Sequence, residues 1–325
     1  MGNQKGNLTV NYLISEAKRR GISVDYLGAR NILLLSRYEQ NVRLFGTISE
    51  RTSHLAVILA DDKRATKRLL ASRGLPTPQF YAVDVEDEAV NAFMALGGCV
   101  VIKPLKGSQG QGVSVGLTTE PQVREAFRLA FRFSRVVLVE VYHQGRDYRI
   151  MVVDSKVVAV AERCPLRVVG DGVLSIRELI TELNNDPDRG DGDEKPMTKI
   201  VIDNHIAEFL GRSNRTLLTV PKYGQAIDLR AMGSISQGSS SIDRTDAVHP
   251  EIADVVIEAT QLIGLDIAGL DLIASDISLP LEYADAQIIE INCSPGIRAH
   301  LFPSEGLARN PAANIIEYLF PNSGM

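Results

Sequence analysis

Apolar and polar positions alternate between helical and strand spacing along this chain. Residues 8–20 place Leu8, Tyr12, Leu13 and Ile14 on one side of a helix that Gly21 stops. Three strand-like pieces follow, Val24 to Leu27, Ile32 to Leu35 and Val42 to Ile48, so the first 60 residues read as a small α/β unit. A helix is expected from Asp61 to Arg73, ended by Gly74 and by the two prolines of Gly74-Leu75-Pro76-Thr77-Pro78. Strands are then expected at 99–103, 113–117, 136–140, 147–153 and 156–162, with a helix over 119–133. That helix opens on the capping box Thr119 and Gln122 and buries Val123, Phe127, Ala130 and Phe131. The turn Val153-Asp154-Ser155-Lys156 between two apolar runs predicts an antiparallel hairpin.

Further on, Ser175 and Glu178 cap another helix, and the Asp-, Gly- and Asn-rich segment 184–195 reads as a solvated loop. It lacks the ligand spacing of a calcium loop. Residues 233–241 form a flexible polar stretch, a helix runs from His249 to Ile263 before Gly264, and strands close the pattern at 267–274 and 287–292.

Composition narrows the function classes. The 325 residues are 45% apolar and 23% charged, as in a globular protein, and the net charge of −5 provides no field for nucleic acid. No apolar run approaches the roughly 18 residues of a membrane span, and the N-terminus carries no signal-like apolar core, so neither membrane insertion nor export is expected. Three scattered cysteines, Cys99, Cys164 and Cys293, offer neither a disulfide frame nor a metal motif, and a cytoplasmic location is expected. Charge is uneven: residues 1–74 carry +7 and the remainder −12.

Two groups of residues carry candidate chemistry. Lys103 ends an apolar strand just before the glycine loop 106–112, whose N–H groups can approach phosphate oxygens while the lysine supplies charge. The loop is neither a Walker A nor a dinucleotide fingerprint, and the same glycines serve equally in a hairpin turn. The second group is Asp271 in one apolar strand with Glu290 and Asn292 in another. Glu290 and Asn292 are two apart, so they share a face, opposite to that of Ile289 and Ile291. Such hard oxygen donors suit Mg²⁺, which keeps phosphate and water in its shell.

These elements, with Asp62-Lys63, Thr66-Lys67-Arg68-Leu69-Leu70, Val168-Val169-Gly170-Asp171-Gly172, Asp186-Pro187, Arg189-Gly190, Ile242-Asp243-Arg244-Thr245-Asp246 and Pro303-Ser304-Glu305-Gly306, resemble the ATP-grasp superfamily and, within it, the ATP-grasp domain of the cyanophycin synthetases. The resemblance runs over roughly residues 50–321. It implies an α/β (α+β) ATP-grasp fold whose two lobes carry antiparallel sheets that sandwich a nucleotide. Residues 1–60 would be a shortened pre-ATP-grasp-like unit serving in dimerisation. Residues 61–325 would be the ATP-grasp domain, with a nucleotide lobe at about 80–140 and a catalytic, metal-binding lobe at about 141–325.

Carried over position by position, the resemblance implies that Lys67 and Lys103 bind ATP phosphates under a loop including Ser108, Gln109, Gly110 and Gly112. Glu140 would read the adenine amino group, with the backbone of Tyr142 and His143, and Asp147 would take the ribose. Asp271, Glu290 and Asn292 would hold two Mg²⁺, which Mn²⁺ can replace. Arg149, Arg230 and Arg298 are the arginines for carboxylate, phosphate and the tetrahedral intermediate, with Arg163 a weaker candidate. D-alanine:D-alanine ligases place an Arg two residues before the metal-binding Asp; this chain has Gly269 there, and Arg230 is a possible replacement.

The implied activity is an ADP-forming carboxylate–amine ligase acting through an acyl phosphate, on amino acids or small peptides, in the setting of a dipeptide-like specialised metabolite. The partners are then small carboxylate and amine substrates and a second copy in a homodimer, without nucleic acid or membrane. Where cyanophycin synthetases carry Asn-x-Ser-x-Gly-Gly, this chain reads Ser234-Ile235-Ser236-Gln237-Gly238-Ser239, which implies a different substrate. The sequence also ends where those enzymes continue into a Mur-ligase-like domain, so polymerisation by this polypeptide alone is not expected. A nucleotide-binding partner subunit and an ATP-grasp kinase are the alternatives. Cys293 reads as a small spacer, and His54, His205 and His249 show no metal spacing. His300 reads either as packed or as lining an amine site.

Overall fold

The computed structural model describes residues 7–28, 32–107, 110–192, 195–211, 213–230, 233 and 235–321. They divide into two compact units, each built from separate stretches of chain: residues 43–158 with 246–295, and residues 1–42 with 159–245 and 296–325.

The first unit holds two antiparallel sheets. One has the order Phe80–Val83, Val137–Val141, Val100–Pro104, Ser114–Leu117. The helices Glu86–Ala95 and Glu120–Phe131 cover one of its faces, where Val100, Ile102, Val137 and Val139 join Phe93, Val123, Phe127 and Ala130 in a closed core. Strand alternation sends the residues between them to the opposite face, and these include Lys103 and Glu140. The other sheet pairs Ile267–Ala274 with Arg146–Val153 on one side and Gln287–Asn292 on the other. Asp154 and Ser155 both have positive φ, 50° and 57°, as the hairpin turn after Val153 requires.

The helix expected at 61–73 is two helices, His54–Asp61 and Lys63–Ser72. Asp62 breaks the run because its carboxylate accepts hydrogen bonds from the N–H groups of Arg64 and Ala65, which commits it to the cap of the second helix. The strand expected at Val42 to Ile48 turns at Gly46-Thr47, so Leu44 pairs with Ser49. The strand Phe80–Val83 and the helix Glu86–Ala95 escaped the periodicity, because the helix buries mainly Ala89 and Ala92 beside Phe93.

In the second unit the helices Leu8–Arg19 and Pro311–Leu319 pack together, and buried Glu16 is held by Arg19 and Arg20. A separate core gathers Val168, Ile176, Ile180, Ile206, Leu210 and Ile227 from the helices Ile176–Asn184 and Asn204–Gly211 and the ribbon of Arg167–Val169 with Ala226–Asp228. The polar stretch at 233–241 is not a free loop: Gly233, Gly238, Ser239 and Ser241 are buried, and Ser241 Oγ donates to Ala299 O at 2.7 Å. The Ser240 carbonyl likewise accepts from the Cys164 N–H at 3.0 Å, a pairing that a solvated loop would not need.

Candidate active site

The phosphate-binding candidates meet on the polar face of the first sheet. Lys103 Nζ lies 3.0 Å from Glu140 Oε2, and Lys67 Nζ, reaching in from the helix Lys63–Ser72, lies 3.4 Å from the same oxygen. All three side chains are almost wholly buried. Lys67 also donates to Thr77 Oγ1, which in turn donates to Ile288 O, tying the lysine to the strand that bears Glu290. Burial pushes Lys67 down to about 8; the Glu140 carboxylate opposes this and the Lys103 ammonium adds to it. Burial works to raise Glu140, but the charges of Lys103 and Lys67 outweigh it and leave the carboxyl below the usual range. The second oxygen, Glu140 Oε1, is buried with no hydrogen-bond partner. An orphaned acceptor of this kind fits an amino group brought by a ligand.

Next to it the chain reaches the Tyr142–His143 segment. The Tyr142 N–H donates to Cys99 O at 3.1 Å. His143 Nδ1 stands 3.5 Å from Asp285 Oδ2. Of the glycine loop, Ser108 and Gln109 lie outside the described residues; Gly110 and Gly112 have φ of 74° and 70°, conformations that side chains disfavour.

The metal candidates form a cross-strand row. Asp271 is the direct partner of Glu290 on one side and of Arg149 on the other, so the three side chains share one face. Arg149 Nε lies 2.7 Å from Asp271 Oδ1, with Nη2 at 3.4 Å from Oδ2. Asn292 extends the same face and donates from Nδ2 to Gly269 O at 3.2 Å, which leaves its Oδ1 as the atom suited to a cation. Two carboxylates placed opposite each other repel unless a cation lies between or beside them. Among the described residues no group of three His, Cys, Asp and Glu side chains could hold a metal. The donors present, two carboxylates and an amide, fit Mg²⁺ completed by phosphate and water. A cavity of about 510 Å³ beside them is lined by Asp61, Lys63, Lys106, Glu290, Asn292 and Ser294, among others. Asp147, two residues before Arg149, lies on the Arg149 side of its strand.

Gly269 explains why no arginine stands two residues before Asp271. A Cβ there would come within 2.5 Å of Pro295 Cβ and 3.1 Å of Arg149 Nη1. Arg149 already fills that space.

The other two arginines belong to the second unit. Arg230 Nη2 lies 2.6 Å from Asp203 Oδ2. Arg298 is 8% exposed, and its guanidinium donates to Pro196 O (2.8 Å), Gly192 O (3.0 Å), Thr198 Oγ1 (2.8 Å) and Lys195 O. It holds Gly192 and residues 195–198, a role the sequence did not suggest. Arg163 ends the strand Lys156–Arg163 opposite Ser241. His300 is buried, and His249 caps the helix Pro250–Ile263. Cys293 is buried with its thiol pushed up by desolvation, and its Sγ is 3.9 Å from Asp61 Oδ1. Lys63 escaped the sequence reading as a site residue; its Nζ lies 3.5 Å from Glu290 Oε2. The i, i+4 spacing to Lys67 was the available signal.

Known proteins are similar to this chain. Residues 60–167 match the RimK-like ATP-grasp domain. The chain is 43% identical over 311 residues to the cyanophycin synthetase of Trichormus variabilis, covering 95% of this chain and 34% of that protein. It is 31% identical over 322 residues to the glutathione biosynthesis bifunctional protein of Mannheimia succiniciproducens, covering 97% of this chain and 42% of that one. The crystal structure of a bifunctional glutathione synthetase from Pasteurella multocida superposes with a TM-score of 0.72 at 31% identity, over 98% of this chain and 44% of that one. The chain thus spans less than half the length of each of these relatives. No helix among the described residues is long and apolar enough to cross a membrane. These alignments show that the chain carries a RimK-like ATP-grasp domain, matched over residues 60–167, and is a homologue of cyanophycin synthetase.

Proposed function

We propose that this protein is an ADP-forming carboxylate–amine ligase that joins amino acids or small peptides. The observation that carries the reading is the buried Lys67–Glu140–Lys103 group, joined through Thr77 to the strand of Glu290 within one compact unit. Lys67 and Lys103 hold the ATP phosphates, the orphaned Glu140 Oε1 accepts from the adenine amino group, and Asp147 takes the ribose. Arg149, beside the carboxylate row, grips the carboxylate substrate and steadies the oxyanion formed when an amine attacks the acyl phosphate. Arg230, beside Asp203, and Arg298, on the carbonyls of Gly192 and Pro196, are the further arginines of the proposal, for the tetrahedral intermediate and for carboxylate or phosphate.

Asp271, Glu290 and Asn292 would hold two Mg²⁺, or Mn²⁺ in their place, which supply charge neutralisation at the β- and γ-phosphates when bound. A dipeptide-like specialised metabolite as product, a homodimer using the N-terminal segment and a cytoplasmic location complete the proposal; the three free cysteines are consistent with a reducing compartment.

The test is release of ADP and phosphate from Mg²⁺-ATP across a panel of amino acids and dipeptides, with hydroxylamine present to trap an acyl phosphate as its hydroxamate. A carboxylate that stimulates ADP release and yields a hydroxamate supports the reading. Full activity in Lys103→Ala, or a stable phosphorylated product with no amide, overturns it.

A further inference from the structure

Lys63 is the first residue of the helix Lys63–Ser72, where the positive end of the helix dipole disfavours a cation. Asp62, capping the helix, offsets part of that cost. The i, i+4 spacing puts Lys63 and Lys67 on one helix face, so a single helix delivers Lys67 to Glu140 and Lys63 to Glu290. The Lys63 side chain is 13% exposed and that of Glu290 31%, and both line the cavity of about 510 Å³ together with Asn292. Across the row, Asp271 is matched in the same way by Arg149 at 2.7 Å. Each carboxylate of the proposed metal set therefore has a cationic side chain of its own.

A built-in ammonium beside Glu290 opposes a divalent cation at that carboxylate by direct charge repulsion. A polyphosphate entering the cavity gives the ammonium a competing partner of higher charge. Resting on the nucleotide reading above, we propose that Lys63 is a positioning residue that couples cation binding to nucleotide binding. It holds Glu290 against a divalent cation arriving alone and yields the carboxylate when the cation arrives with nucleotide. The coupling is reciprocal, as linkage demands: nucleotide tightens the cation and the cation tightens nucleotide.

The experiment is a Mn²⁺ titration of the full chain by electron paramagnetic resonance, with and without a non-hydrolysable ATP analogue. The wild type is expected to bind Mn²⁺ weakly alone and at least ten-fold more tightly with the analogue. Lys63→Met is expected to bind Mn²⁺ alone about ten-fold more tightly than the wild type, with the effect of the analogue reduced by a similar factor. Lys63→Arg, which keeps the charge, should behave as the wild type, and Lys63→Gln should repeat the Met result if Met perturbs folding. A merely structural ion pair would alter thermal stability and leave Mn²⁺ affinity where it was, and that outcome overturns the proposal while the analogue still binds. Failure of the wild type to bind the analogue at all overturns the nucleotide reading, and the coupling with it.

Discussion

Replacing Glu140 by Gln keeps the shape of the side chain and removes the charge that two buried lysines share. At an effective dielectric constant near 20, each ammonium at 3.0 and 3.4 Å gains about 5 kcal/mol from the carboxylate, most of which offsets the cost of burial. Removing one partner of a buried pair typically costs about 3 to 5 kcal/mol, because the remaining charge is left uncompensated. Here two charges remain, and they repel each other. Lys67 already titrates at about 8 against an ordinary 10.5, which corresponds to about 3 kcal/mol disfavouring its protonated form. In the wild type this term lowers stability below pH 8 and fades as pH rises toward 10.5, because the folded protein binds fewer protons than the unfolded chain across that window.

Without Glu140, Lys67 drops below 8 and is driven to lose its proton on folding. That loss costs more the further the pH lies below 10.5, so the deficit of Glu140→Gln relative to the wild type is expected to be about 3 kcal/mol or more at pH 6 and clearly smaller at pH 9. Urea unfolding curves at the two pH values measure it. Lys67→Met combined with Glu140→Gln should recover at least about 1 kcal/mol relative to additivity. A loss under about 1 kcal/mol at pH 6, or one that does not shrink with pH, would refute the argument.

The remaining predictions concern neighbouring parts of the molecule. Affinity for an ATP analogue, read by calorimetry, should decline as pH rises through about 8 in the wild type and lose that dependence in Lys67→Met, since the deprotonated amine no longer attracts phosphate. Gly269→Ala should lower stability by about 1 to 3 kcal/mol in thermal unfolding, because its Cβ meets Pro295 at 2.5 Å; an unchanged melting temperature would show that the strand yields without cost. Arg298→Met should speed amide hydrogen exchange of Lys195, Met197 and Thr198 at least about ten-fold while leaving the helix Ile176–Asn184 protected, and unchanged exchange at those three amides would remove its role in holding them.

Much of the site was legible because strand alternation is local. Lys103 at the end of an apolar strand and the Glu290–Asn292 pair announce a polar face on a sheet whose other face is core, whereas Glu140, in the otherwise apolar run 136–141, is marked only by the family resemblance. The C-terminal helix Pro311–Leu319 carries a local signal of its own, Pro311 at its first position with Ala312, Ile315, Ile316 and Leu319 buried on one side. The helix Glu86–Ala95 was not legible, since a face built largely of alanines barely changes the hydrophobic pattern.

By itself the sequence determined the antiparallel α/β elements, the candidate phosphate and metal residues and the family resemblance, because each depends on residue type at short spacing. Only the tertiary structure decided which charges answer which. Register set Arg149 beside Asp271 and Asp271 opposite Glu290, packing carried Lys67 to Glu140 and Lys63 to Glu290, and Arg298 turned to the backbone carbonyls of Gly192, Lys195 and Pro196. The reason is physical: charge pairing acts over a few ångströms between residues that lie 73 to 227 positions apart in these pairs, and spacing along a chain carries no record of such encounters.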